Sequence, residues 1–171
     1  MSTVPERQHV VNSTVRPPRT VAGDAFTELV VQVTGLAWFV TAAGEALART
    51  GGQTLARWVV LDAIEDGPAT VAQVARRRGI ARQAVQRVAN LLVDDGLAVF
   101  EDNPQHRRAK LLRPTPDGRE ALRIISEAQQ PWADELGEEV GEDELNRASE
   151  LLTHIQQAIE ERGLPGEPNR Q

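Results

Sequence analysis

Between Thr70 and Thr115 the chain is punctuated so closely that few folds can accommodate it. Thr70-Val71-Ala72-Gln73 has capping-box spacing: the Thr70 hydroxyl can accept from the Gln73 amide while the Gln73 side chain reaches back. The short helix begun there is expected to run to Arg78 and close at Gly79. After a tight Gly79-Ile80-Ala81 turn, residues 82–94 read as a second helix. Its Ala84, Val85, Val88, Leu91 and Leu92 are spaced to bury one side, and Gly96 ends it. Leu97 to Phe100 then reads as a strand, Asp102-Asn103-Pro104 supplies turn residues, and Ala109 to Arg113 alternates as a return strand. The expected product is a two-stranded ribbon with an exposed basic tip. Helix, turn, helix and ribbon in that order spell a winged helix-turn-helix, so the fold class is mainly α with a small β-wing.

The flanks are helical in pattern. Residues 1–22 lack periodicity and carry Pro5, Pro17 and Pro18, the pattern of a mobile N-terminal arm. Phe26, Leu29, Val30, Val33, Leu36, Ala37, Val40, Ala43 and Leu47 then recur every three or four residues, predicting a long helix within 23–52 that ends at Gly51-Gly52. A further helix is expected over 53–65, with Leu55, Trp58, Val59, Leu61, Ala63 and Ile64 apolar, stopping at Asp66-Gly67-Pro68. The winged helix-turn-helix region thus covers 53–114. Thr115-Pro116-Asp117 starts the next helix with a hydroxyl cap, a proline where no N–H is missed, and an acid beside the dipole's positive end. Leu122, Ile125, Ala128, Trp132 and Leu136 mark its buried side. A last helix over 142–162 carries Leu145, Ala148, Leu151, Leu152, Ile155 and Ile159. These two helices make up 115–163, and 164–171 is a tail. A length of 171 residues suits one compact domain with ragged ends.

The net charge of −6 argues against a nucleic-acid partner until its distribution is considered. Residues 76–113 hold nine basic side chains against four acidic ones, whereas 120–171 hold four arginines against thirteen acids. A basic middle beside an acidic C-terminal part is what a protein needs if one face alone meets DNA. In a helix-turn-helix the second helix enters the major groove, which here offers Arg82, Gln83, Gln86, Arg87 and, one turn on, Asn90. Gln83, Gln86 and Arg87 share a face, and Arg and Gln fork to guanine and adenine respectively. At the wing, His106, Arg107, Arg108 and Lys110 follow a proline-bearing turn and suit the minor groove or flanking phosphates. Thr70, Arg77 and Arg78 are candidate backbone contacts, although a run of charges is equally well a solvated face.

The run VAQVARRRGIARQAVQRVANLLVDDGLAVFEDNPQHRRAKLLRPTPDG, within residues 58–118, resembles the DNA-binding core of the MarR family, and the flanking helices agree in order and length. The resemblance implies a homodimer with interleaved first and last helices, placing Phe26, Val30, Val33, Leu145, Leu151, Leu152, Ile155 and Ile159 at its interface. It also implies a palindromic double-stranded DNA operator, and repression that is often relieved by a small, frequently aromatic effector. Two positions depart from the family: His106 stands where an Asp usually precedes the paired arginines, and Ala81 where Ser or Asp usually opens the recognition helix.

Trp38, Trp58 and Trp132 fall on helices that the family places near its ligand cleft, although a tryptophan on an apolar face is commonly core. The absence of cysteine excludes disulfides and thiol-based sensing. His9, His106 and His154 have no ligand spacing, so neither a metal nor another cofactor is expected. No nucleophilic triad or phosphate loop is evident, so the chain does not read as an enzyme. The most apolar stretch, Leu36 to Ala43, is too short for a bilayer, and the expectation is a cytoplasmic protein without a membrane partner. The competing reading is a winged-helix module that binds another protein and touches DNA weakly or never.

Overall fold

The computed structural model describes residues 19–106 and 108–163. Helices α1 (Val21–Thr50) and α2 (Leu55–Asp62) lead into a two-residue strand β1 (Ala69–Thr70). Helices α3 (Val71–Arg78) and α4 (Arg82–Asp94), strands β2 (Ala98–Glu101) and β3 (Leu111–Pro114), and helices α5 (Pro116–Val140) and α6 (Glu142–Arg162) complete the order.

One compact domain was expected, but the chain divides into two units, Met1–Val40 and Thr41–Gln171. The division falls inside α1. In the first unit α1 starts at Val21, two residues earlier than the arm boundary suggested, because the Thr20 hydroxyl accepts from the Gly23 amide at 3.0 Å. Residues 1–18, most of the expected arm, and the tail 164–171 lie outside the described residues.

The expectation that no segment could span a bilayer requires correction. α1 contains an 18-residue window of mean hydropathy 1.4, none of it buried, and by length and composition it is long and apolar enough to cross a membrane. Counting uninterrupted apolar letters missed this. No charged residue lies between Glu28 and Glu45, and Gln32, Thr34 and Thr41 interrupt the run without lowering its mean greatly.

In the second unit the core lies where α2, α3, α4 and the sheet meet. Val60, Leu61, Ile64, Val74, Val85, Val88, Ala89, Leu92 and Leu112 are buried there, with Leu122 of α5 closing it. α2 is shorter than expected: Thr54 caps it, and after Asp62 the Ile64 and Glu65 amides turn back to Leu61 and Asp62 at 3.1 and 3.2 Å. That tighter turn swings Ile64, which is fully buried, into the core.

The ribbon is a three-stranded antiparallel sheet in the order β1-β3-β2, not a pair of strands. Ala69 and Thr70 pair with Leu112 and Leu111, while Ala98 to Glu101 pair with Pro114 to Leu111. A two-residue strand has no room to show alternation, so only its partner identifies it.

Two burial expectations fail in the same way. Leu91 of α4 is 46% exposed, its inward place being taken by Ala89. Along α5 burial stops at Ile125, leaving Trp132 and Leu136 about two-fifths exposed. α6 buries nothing within the chain: Leu145, Leu151, Leu152 and Ile159 are 41–50% exposed, and Ile155 is half-buried. Phe26, Val30 and Val33 of α1 are likewise exposed. An apolar stripe at helical spacing shows which side chains share a face, not that the same chain covers that face.

Candidate nucleic-acid interface

The recognition element is assembled by local chemistry. The Thr70 hydroxyl accepts from the Gln73 amide at 3.2 Å, and Gln73 Oε1 accepts from the Thr70 amide at 2.8 Å, so both halves of the capping box form. Gly79, at φ +63°, closes α3, and the Ile80 amide returns to the Ala75 carbonyl at 3.0 Å. α4 follows after one further residue. Its first position lacks a side-chain cap because Ala81 has no hydroxyl. Val85, Val88, Ala89 and Leu92 anchor α4 in the core, while Arg82, Gln83, Gln86, Arg87 and Asn90 are all exposed. The far end is tied down by Arg57 of α2, which donates to the Leu91 carbonyl at 3.3 Å and pairs with Asp95.

The wing approaches the start of this helix. Asn103 shapes its tip, since Asn103 Oδ1 accepts from the Gln105 amide at 3.0 Å and its carbonyl accepts from the His106 amide at 3.2 Å. Arg113 pairs with Glu101 across β2 and β3, which holds the two strands in register near the tip. A cleft of about 230 Å³ separates wing from helices, lined by Arg82 and Gln86 of α4, Arg108 and Lys110 of the wing, and Val71 and Ala72 of α3. A second opening lies along the wing's other side, where His106, Asn103 and Gln105 face Gln73 and Arg76. Among the described residues, Arg76, Arg82, Arg87, Arg108 and Lys110 have no carboxylate within 4 Å. This arrangement can receive a polyanion, because its positive charge is not neutralised internally.

Not every expected residue joins the cleft. Thr70 is buried and its hydroxyl is engaged by the capping box, so its contribution is to fix α3 and not to present a free hydroxyl to a phosphate. Arg78 pairs with Asp62, and with Arg77 it lines a separate cleft that also holds Asp66. Arg76, which was not singled out from the arginine run, is the member that shares an opening with the wing. Helical phase could have signalled this, since the three successive arginines point 100° apart. Arg107 lies outside the described residues.

In the second unit Trp58 packs at the edge of the core and Trp132 is partly exposed, and neither lines a cleft described above. Trp38 is two-thirds exposed and meets Phe39 edge to face with ring centroids 4.8 Å apart. Away from the wing, Glu120, Arg123 and Glu127 form an exposed network on α5. There the Arg123 guanidinium, chiefly through its hydrogen bond, holds the Glu120 carboxyl below its ordinary range, and the two carboxylates raise the Arg123 value.

A capped helix, a turn, an exposed polar helix and a three-stranded wing with unpaired cations define a winged helix-turn-helix protein. Residues 52–109 match the profile of the MarR family. The chain is also 46% identical, over 104 residues, to an uncharacterised protein of Mycobacterium tuberculosis, a span covering 61% of this chain and 73% of that protein. The chain belongs to the MarR family.

Solved structures agree in fold. A MarR family transcription regulator superposes with a TM-score of 0.70 at 21% identity, covering 78% of this chain and 89% of the other. The transcriptional regulator BldR of Sulfolobus solfataricus gives 0.69 at 19%, covering 80% and 97%. FabT of Streptococcus pneumoniae, solved in complex with DNA, gives 0.64 at 19%, covering 81% and 99%.

Proposed function

We propose that this chain is a dimeric, sequence-specific DNA-binding transcriptional regulator that represses its own or neighbouring genes. The observation that carries the reading is the cleft where Arg82 and Gln86 of α4 meet Arg108 and Lys110 of the wing. A recognition helix with a forked cation and an amide reads base edges, and wing cations neutralise phosphates beside them. That FabT was solved with DNA supports the assignment. The cytoplasm, where such a regulator meets its operator, is the corresponding location.

Dimerisation accounts for the unpartnered apolar side chains. Phe26, Val30 and Val33 on α1, and Leu145, Leu151, Leu152 and Ile159 on α6, are large apolar side chains left exposed at helical spacing, the kind of surface that a partner covers. We read the apolar α1 as an interface helix and not a bilayer span, because α6 is equally unpartnered yet interspersed with acids. A twofold dimer presents two recognition helices, hence a palindromic site. A small effector releasing the DNA is part of the proposal, supported by the MarR of Staphylococcus aureus, which was solved with salicylate and kanamycin.

The test is titration against DNA upstream of the chain's own gene and its neighbours, at two salt concentrations, beside the double variant Arg82→Ala/Arg87→Ala. Tight, salt-sensitive binding to one fragment, lost in the variant, is the expected result. Equal weak binding to every fragment, unchanged in the variant, refutes it and points instead to a protein-binding module.

A further inference from the structure

Gln86 and Asn90 stand one turn apart on the exposed side of α4, and Gln86 Nε2 donates to Asn90 Oδ1 at 2.9 Å. Gln86 also lines the cleft shared with Arg82, Arg108 and Lys110, so this amide pair lies at the cationic face. We propose that Asn90 is a positioning residue that holds Gln86 ready to read an adenine in the major groove. The inference rests on the DNA-binding reading above and specifies what one part of that site recognises.

The chemistry follows from the hydrogen count. A glutamine amide has two hydrogens on Nε2 and two lone pairs on Oε1. One hydrogen is given to Asn90, which leaves a hydrogen and the oxygen as a donor beside an acceptor. Adenine presents the complement, an N7 acceptor beside an N6 donor. Guanine shows two acceptors, cytosine a lone donor, and thymine an acceptor beside a methyl group, so each leaves half of the amide edge unanswered.

Asn90 contributes through order. An exposed glutamine rotates freely, and fixing it on the base costs rotamer entropy at the moment of binding. A partner four residues along the same helix restrains it beforehand, and because both residues sit on α4 the restraint needs no tertiary rearrangement. Arg82, four residues before Gln86, extends the same stripe towards the wing cleft.

Selection from a random double-stranded DNA library, with the full-length chain and three variants, tests this. The selected site and its single-base replacements are then titrated. The wild type is expected to enrich an adenine at one position of each half-site. Gln86→Ala should reduce discrimination at that position by roughly tenfold or more. Asn90→Ala, which retains Gln86, should reduce it by about twofold, the modest worth of an i,i+4 pair. Asn90→Asp, whose carboxylate still accepts from Nε2, should preserve the preference while its added negative charge weakens binding to all sequences alike. The discrimination ratio separates positioning from helix stability, which would move every sequence equally. Full discrimination in Asn90→Ala, or an adenine preference that survives Gln86→Ala, overturns the proposal. A strongly enriched site with no adenine answering to Gln86 overturns it while leaving DNA binding intact. A wild type that enriches no sequence overturns the DNA-binding reading and this inference with it.

Discussion

Replacing Gly118 by alanine should unlatch α5 from the wing. A Cβ built on Gly118 meets the Leu97 carbonyl oxygen at 2.0 Å and the Leu97 carbonyl carbon at 3.1 Å, and real Cβ atoms essentially never come closer than 3.0 Å. The obstacle is backbone, so no rotamer change relieves it, and α5 must retreat from Leu97 by about 1 Å. That retreat acts on the joint between β2 and α5. There the Thr115 amide donates to the Leu97 carbonyl at 3.0 Å and the Thr115 hydroxyl donates to the Gly96 carbonyl at 2.7 Å. Overpacking of this kind costs about 1–3 kcal/mol, and each of the two hydrogen bonds about 1 kcal/mol, for a total of about 3–5 kcal/mol. For a chain of this size that lowers the melting temperature by roughly 6–20 °C. Thermal unfolding followed by circular dichroism, at fixed protomer concentration, measures it. Gly137→Ala is the control: it lies within the same helix with nothing within 4 Å of its Cβ, and should gain up to about 1 kcal/mol from helix propensity. A Gly118→Ala protein that melts within 2 °C of wild type refutes the reasoning.

Other perturbations have signs fixed by single contacts. Thr70→Ala removes the acceptor for the Gln73 amide and should cost about 1 kcal/mol in chemical denaturation. Ala81→Ser supplies the hydroxyl that α4 lacks, on a backbone at φ −57° and ψ 131°, and should gain about 1 kcal/mol in the same assay. Leu151→Glu or Ile155→Glu places charge on the unpartnered face of α6 and should give unfolded or aggregated protein, whereas a well-folded monomer in analytical ultracentrifugation would exclude an obligate dimer. Arg123→Ala should raise the Glu120 carboxyl titration towards its ordinary value, as followed by NMR. Because the folded value is depressed, the pair's stabilisation is present above the unfolded carboxylate range and is lost as pH falls through the folded value.

The limits of the elements around the site were legible because their signals are local. Thr70 with Gln73, Gly79, and Thr115 with Pro116 act on neighbours within a few residues, and α3 begins and ends, and α5 begins, where those residues stand. The exposed face of α4 was legible for the same reason, since helical phase alone separates Gln83, Gln86 and Arg87 from Val85 and Val88. The wing strands were displaced by a residue or two, at 98–101 and 111–114, because turn residues bound a hairpin without fixing its register.

What tertiary structure alone decided are matters of partnership. β1 exists because β3 lies beside it, and two residues carry no periodicity that could announce this. Arg76 lines the opening along the wing's other side while Arg78 turns to Asp62, a choice set by what surrounds α3 and invisible in three identical letters. The apolar stripes of α1, α5 and α6 are visible in the sequence, but the folded chain leaves much of each stripe uncovered. Sequence fixes which side chains a helix offers on each face, because 3.6 residues per turn is a property of the backbone. Which surface meets each face depends on contacts between residues far apart in the chain, and only the folded chain specifies those.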